Sequence, residues 1–182
     1  MKKWVFVAVL FACLGMTGVW LAGCGYTTTS ALSSDLQTIY VEHFKNNIDF
    51  ETASRVQTTY IPLLEVDIRT AVINRFQFDG NLKVSANKED ADLILSGELV
   101  EYNRYALRYT DEDDVQEYRL QLVMKLTMTD TTTGEPLWTS NRFIGEKDYF
   151  LQGPRAVSED TAIGQATEDL ARRIVEKTIE NW

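Results

Sequence analysis

The clearest pattern in the chain is YRLQLVMKLTMT, residues 118–129. Tyr118, Leu120, Leu122, Met124, Leu126 and Met128 alternate with Arg119, Gln121, Lys125, Thr127 and Thr129, and Val123 is the one exception. A period of two over that length predicts an antiparallel strand with one face in a core and one in water. ADLILSGELVEYNRYAL (91–107) before it and PLWTSNRFIGEKDYF (136–150) after it also read as strands. The alternation in 136–150 slips between Trp138 and Phe143, which predicts a bulge. The charged link TDEDD (110–114) and DTTTGE (130–135), whose Gly134 accepts positive φ, are the two hairpin turns.

A different period appears on either side of these strands. In IPLLEVDIRTAVINRF (61–76), Ile61, Leu64, Ile68, Ala71, Val72 and Phe76 fall three and four apart, an amphipathic helix with Pro62 in its first turn and Asp79–Gly80 as its stop. Ser158 followed by Glu159 and Asp160 predicts a capped start of a second helix running towards Trp182. Ile163, Ala166, Leu170, Ile174 and Thr178 line its inner side. QTIYVEHF (37–44) and LKVS (82–85) read as further strands, and 45–60 is polar and ambiguous. Strands with one wet face need a cover on the other, and two amphipathic helices supply it. The expected fold is therefore α+β, a two-layer sandwich of a mostly antiparallel sheet of about four strands with two helices on one face.

The first residues follow neither period. Met1, Lys2 and Lys3 precede an apolar run from Trp4 to Leu21 that Thr17 alone interrupts, and small residues follow. A basic head, an apolar middle and a small-residue cut site form a secretory signal, here residues 1–23. At 18 residues the run sits at the lower edge of what spans about 30 Å of hydrocarbon. The run closes on Leu21, Ala22, Gly23 and Cys24, a tetrapeptide that resembles residue by residue the lipobox of bacterial lipoproteins. That resemblance implies a diacylglycerol on the Cys24 sulfur, cleavage after Gly23 and fatty acylation, palmitate for example, of the new amine. Residues 24–36 read as a hydroxyl-rich tether, leaving 37–182 as a single domain.

Removing the signal discards Lys2, Lys3 and Cys13 and moves the net charge from −9 to −11. An acidic surface excludes a nucleic-acid partner, since affinity there comes from Lys and Arg on phosphates. With Cys24 acylated, no thiol remains for a disulfide or a thiolate metal site.

Catalytic constellations are sparse. His43 is the single histidine and sits at a strand end without convergent partners; no GxSxG elbow is present. Asp111, Glu112, Asp113 and Asp114 lack the spacing and the glycine of a calcium loop and read as a solvated hairpin tip. Tyr102, Tyr105 and Tyr109 with Arg104 and Arg108 form a basic-aromatic patch that could stack on a sugar or hold a phosphate. The reading is a non-enzymatic protein without cofactor or metal.

The order of motifs resembles the LptE family of lipopolysaccharide-assembly lipoproteins. The matching pieces are CGY (24–26), TIYVEHFKN (38–46), ADLILSGELVEY (91–102), YRLQLVMKLTMTDTTTGEPLW (118–138) and the C-terminal helix. The resemblance implies a lipid-anchored protein on the periplasmic side of the outer membrane. It would plug an LptD-type β-barrel, help that barrel assemble, and bind lipopolysaccharide to assist its delivery to the cell surface. Arg104, Arg108, Arg142 and Lys147 are the basic candidates for contact with lipopolysaccharide. Two other classes share such folds and stay open: a lipoprotein that activates a peptidoglycan synthase or serves a secretion pore, and a tethered hydrolase using Asp or Glu.

Overall fold

The computed structural model describes residues 35–48 and 61–180. The signal at 1–23, Cys24, most of the tether and the ambiguous stretch 49–60 lie outside the described residues.

The three long strands are β4 (Leu93–Tyr109), β5 (Val115–Asp130) and β6 (Pro136–Phe150), and they form an antiparallel meander. On β5, Leu120, Leu122, Met124, Leu126 and Met128 are all buried, as the alternation predicts. Each such side chain contributes about 2 kcal/mol by leaving water. The bulge expected in β6 is present: Met124 pairs with Phe143 but Leu126 pairs with Ser140, so Asn141 and Arg142 of β6 oppose Lys125 alone and β6 spends one extra residue.

Two helices cover the buried face. α1 (Leu64–Asp79) buries Leu64, Ile68, Val72 and Phe76. α2 (Glu159–Glu180) buries Ala162, Ala166, Leu170, Ile174 and Thr178, while Ile163 is only half-buried. The Ser158 hydroxyl accepts the Thr161 N–H at 3.1 Å, the expected cap. α1 starts later than the pattern predicts, because Leu63 adopts φ 62°, outside the helix; the helix then runs on to Asp79 and stops at Gly80 with φ 78°.

The sheet departs from the expectation of about four mostly antiparallel strands. Among the described residues it is open and mixed, with six strands: five in the order β3-β1-β4-β5-β6, and β2, which pairs with β4. β1 (Thr38–Val41) pairs in parallel with both β4 and β3 (Lys83–Val84), and β2 (Lys45–Asn46) is also parallel to β4. The segment expected as one strand at 37–44 is broken at Glu42–Phe44 into β1 and β2. Parallel strands are joined by crossovers rather than hairpins, and α1 is the crossover between β1 and β3.

Asp92 fixes the entry of β1. Its carboxylate accepts the N–H of Gln37 and Thr38, each at 2.9 Å, and the Thr38 hydroxyl at 2.8 Å. These bonds, the Gln37 N–H first, hold the Asp92 carboxyl below its usual range. A depressed carboxylate contributes stability above its unfolded-state pKa and loses it as pH falls through the folded one. Relative to the intrinsic rate at each pH, hydrogen exchange at the β1 amides is therefore expected to accelerate below about pH 4. In Asp92→Ala it should be fast at neutral pH; slow β1 exchange in that variant would refute the assignment.

Candidate functional site

The basic-aromatic patch does not hold together as a surface. A register shift between Leu99 and Glu101 turns Tyr102 and Arg104 inward, towards α2. Tyr102 is 1% exposed, and its hydroxyl donates to Glu159 Oε1 at 2.6 Å. Arg104 Nη1 reaches Glu159 Oε2 at 2.5 Å, and the guanidinium lies 4.7 Å from the centre of the Tyr118 ring. Burial, then the bond to Glu159, pushes the Tyr102 hydroxyl well above the usual phenol range. Burial likewise raises Tyr149. The cluster thus fastens the first turn of α2 to the sheet. Glu159 came into the sequence reading only as a helix-start acid, because its partners lie more than fifty residues away.

The remaining basic candidates are dispersed. Arg108 lies 3.3 Å from Glu117 near the hairpin end, and Arg142 pairs with Glu101 on the face away from the helices. Lys147 is half-buried, opposite Leu120 in register on the helix-covered side. Arg104 and Lys147 thus flank the same Leu120 across β5, with Arg104 taken by Glu159, while Arg108 and Arg142 stand apart from them and from each other.

The face away from the helices is laced with polar pairs. Arg119 binds Asp148 through two bonds of 2.7 and 2.8 Å, which hold the Asp148 carboxyl below its usual range. Gln121 donates to Glu146 at 2.8 Å. Val123, the exception in the alternation, is 0% exposed on this face. Its register neighbours are Glu101 and Ile144, and the Glu101–Arg142 pair reaches from β4 to β6 across its strand. The ion pair therefore roofs the misplaced valine.

Beside this roof the face is hollow, with a cavity of about 450 Å³. Its floor is a row of small polar side chains in register across three strands: Ser96 on β4, Thr127 on β5 and Thr139 on β6. Asn141, in the β6 bulge, closes one end. The rim carries His43 and Lys45 from the β1–β2 segment, with Glu42, Glu98 and Lys125. Glu42 is taken by Lys88 at 2.5 Å and Glu98 by Lys45 at 3.8 Å. Lys125 has no carboxylate within ion-pair distance among the described residues. The sequence flagged His43 but missed the hydroxyl row, which exists only once register aligns three separate strands.

At the other end, the β4–β5 hairpin runs past the start of α2. Tyr105, Leu107, Tyr109 and Leu151 are exposed there, Tyr109 to 57%. The acidic stretch 111–114 is the hairpin tip, as expected; the Thr110 hydroxyl accepts the N–H of Glu112 and Asp114, and Asp113 takes φ 63°. No group of His, Cys, Asp and Glu able to hold a metal occurs among the described residues, and no described helix is long and apolar enough to cross a membrane.

The architecture recurs in solved bacterial structures at low sequence identity. A PelC dodecamer from Paraburkholderia phytofirmans aligns with a TM-score of 0.51 at 13% identity, over 84% of this chain and 96% of that one. A Xanthomonas campestris protein aligns at 0.54 and 12% identity, over 78% and 83% of the two chains. Lipoprotein B from Nitrosomonas europaea aligns at 0.53 and 11%, over 79% and 83%. Together these define the class, a small bacterial α+β sandwich of helices on one face of a sheet. Within that class the chain belongs to the LptE lipopolysaccharide-assembly family, whose sequence model matches residues 36–178. No curated protein matches the chain.

Proposed function

We propose that this protein is a lipid-anchored lipoprotein of the outer membrane, facing the periplasm. It binds and helps assemble an LptD-type β-barrel and assists delivery of lipopolysaccharide to the cell surface. The observation that carries the reading is the family match, which spans nearly the whole described domain. The protein works by binding rather than by turnover. Its most buried ionisable cluster, Tyr102, Arg104 and Glu159, is spent on holding α2. The exposed group Tyr105, Leu107, Tyr109 and Leu151 offers apolar area at the hairpin end. A barrel wall would cover such area, because buried apolar cores with aromatic residues are what stable interfaces use. The anchor is Cys24, acylated after cleavage at Gly23.

Affinity purification from detergent-solubilised envelopes is expected to recover a large outer-membrane barrel, and to keep it in salt that screens exposed charges. The recovered chain should begin at Cys24 and carry the mass of a diacylglycerol and a further acyl group. Depletion should lower the amount of correctly assembled barrel and raise permeability to large apolar antibiotics. Recovery of a penicillin-binding protein instead, with peptidoglycan synthesis falling on depletion, would transfer the protein to the activator class. Turnover of a cell-wall substrate, abolished by one Asp or Glu substitution that leaves the fold intact, would overturn the binding role altogether.

A further inference from the structure

We propose that the hollow on the helix-free face binds one anionic saccharide unit, with Lys125 taking its charge and the Ser96–Thr127–Thr139 row taking its hydroxyls. The inference does not depend on barrel docking, and it rests the charge contact on Lys125 rather than on any of the four basic residues that the sequence nominates.

The chemistry of the lining selects the ligand. Neighbouring strands lie about 4.8 Å apart, so the row from Ser96 to Thr139 spans about 10 Å, the length of one to two sugar rings. The Thr127 and Thr139 hydroxyls can donate and accept, the Ser96 hydroxyl, which donates to the Thr127 carbonyl at 3.4 Å, can still accept, and Asn141 adds an amide that does both. That matches a ligand bearing many hydroxyls along a ring edge. The lining has no Phe, Tyr or Trp, and of its residues only Leu126 and Gly97 carry no polar side chain, which favours a hydroxyl-rich occupant over an acyl chain. A volume of about 450 Å³ lies within the range of small-molecule sites.

Charge completes the selection. Lys88 occupies Glu42 and Lys45 faces Glu98, so two of the rim carboxylates are already matched. Lys125 is exposed and stands opposite Glu98 in register, but Glu98 is engaged by Lys45, and Lys125 makes no ion pair of its own among the described residues. A phosphate or carboxylate on the sugar supplies its partner, and a charge-assisted bond is the stronger kind. His43 adds a donor at the rim. Two envelope sources carry this chemistry: the phosphorylated and carboxylated sugars of lipopolysaccharide, and the lactyl carboxylate of muramic acid.

The test is amide-shift NMR on the full chain purified in detergent micelles. The probes are lipid-free core oligosaccharide cleaved from lipopolysaccharide, a soluble muramyl disaccharide, and chitobiose as the neutral control. Saturable shifts at Ser96, Thr127 and Thr139 are expected with an anionic probe and not with chitobiose. Lys125→Glu should weaken binding about tenfold or more, the loss of one charge-assisted bond. Thr127→Val, which keeps the shape, should weaken it severalfold, while Arg108→Glu, at the far hairpin end, should leave it unchanged. Response to the oligosaccharide alone assigns the site to lipopolysaccharide. Response to the muramyl sugar alone keeps the site and removes lipopolysaccharide from it, whatever barrel co-purifies. No saturable shift with either anion, equal binding of chitobiose, or equal losses in Lys125→Glu and Arg108→Glu would overturn the proposal.

Discussion

Gly145→Val is expected to leave little folded protein at ambient temperature. Gly145 lies on the helix-covered side of β6, opposite Leu122, where α2 comes down onto the strand. A Cβ at this position would stand 2.4 Å from the Leu170 Cβ, 2.6 Å from the Ala166 carbonyl oxygen and 2.8 Å from the Leu170 Cα. Two of these three atoms are backbone, so no rotamer change relieves the clash, and α2 must lift off the sheet. Overpacking of this kind costs about 1–3 kcal/mol where side chains can adjust, and more where they cannot. Even Gly145→Ala should lower the urea midpoint markedly. Gly164, within α2 and exposed, is the contrast: nothing lies within 4 Å of a Cβ built there. Gly164→Ala sits inside a helix and should stabilise by about 0.5–1 kcal/mol. Equal midpoints for the two alanine variants would show that the helix is not seated as described.

Leu122→Asp should be comparably severe. Leu122 is 0% exposed and lies in register between Tyr102 and Gly145, beneath the helices. An aspartate there either carries an unpaired charge in the core or stays protonated, and the cost is several kcal/mol in either case. Burial would raise its folded-state pKa above the unfolded value, so the damage should grow as pH rises from the unfolded value, be greatest above the raised folded one, and ease as pH falls. Lys125→Asp, three positions on and exposed, should cost less than about 1 kcal/mol. Thermal melts of the two variants at pH 7 and pH 5 measure both contrasts.

Much of the architecture is legible in the residues, for a physical reason. A sheet wet on one side writes its register into the sequence, and the meander from β4 to β6 does so almost without interruption. The β6 bulge is legible too, because it moves the apolar positions out of phase. Parallel pairing leaves no such trace: β1 and β3 are four and two residues long, and nothing local says which strand they will join. The bulge at Leu99–Glu101 misled the reading of Tyr102 and Arg104. Val100 and Glu101 both look like ordinary members of an alternation, and only the distant Glu159 explains why Arg104 turns inward. The hollow was hidden for the same reason, since serine and threonine on a wet face look alike whether or not they line up with the next strand.

The parallel seat of β1 also orders events during folding. β4, β5 and β6 are joined by short turns, so their pairing closes small loops at low entropic cost. β1 must wait for strands that begin more than forty residues later, with α1 formed and packed between them. It should therefore join after the meander has formed, leaving the transition state indifferent to changes at Ile39 and Val41. Those substitutions should act on how fast the finished protein opens, not on how fast it forms.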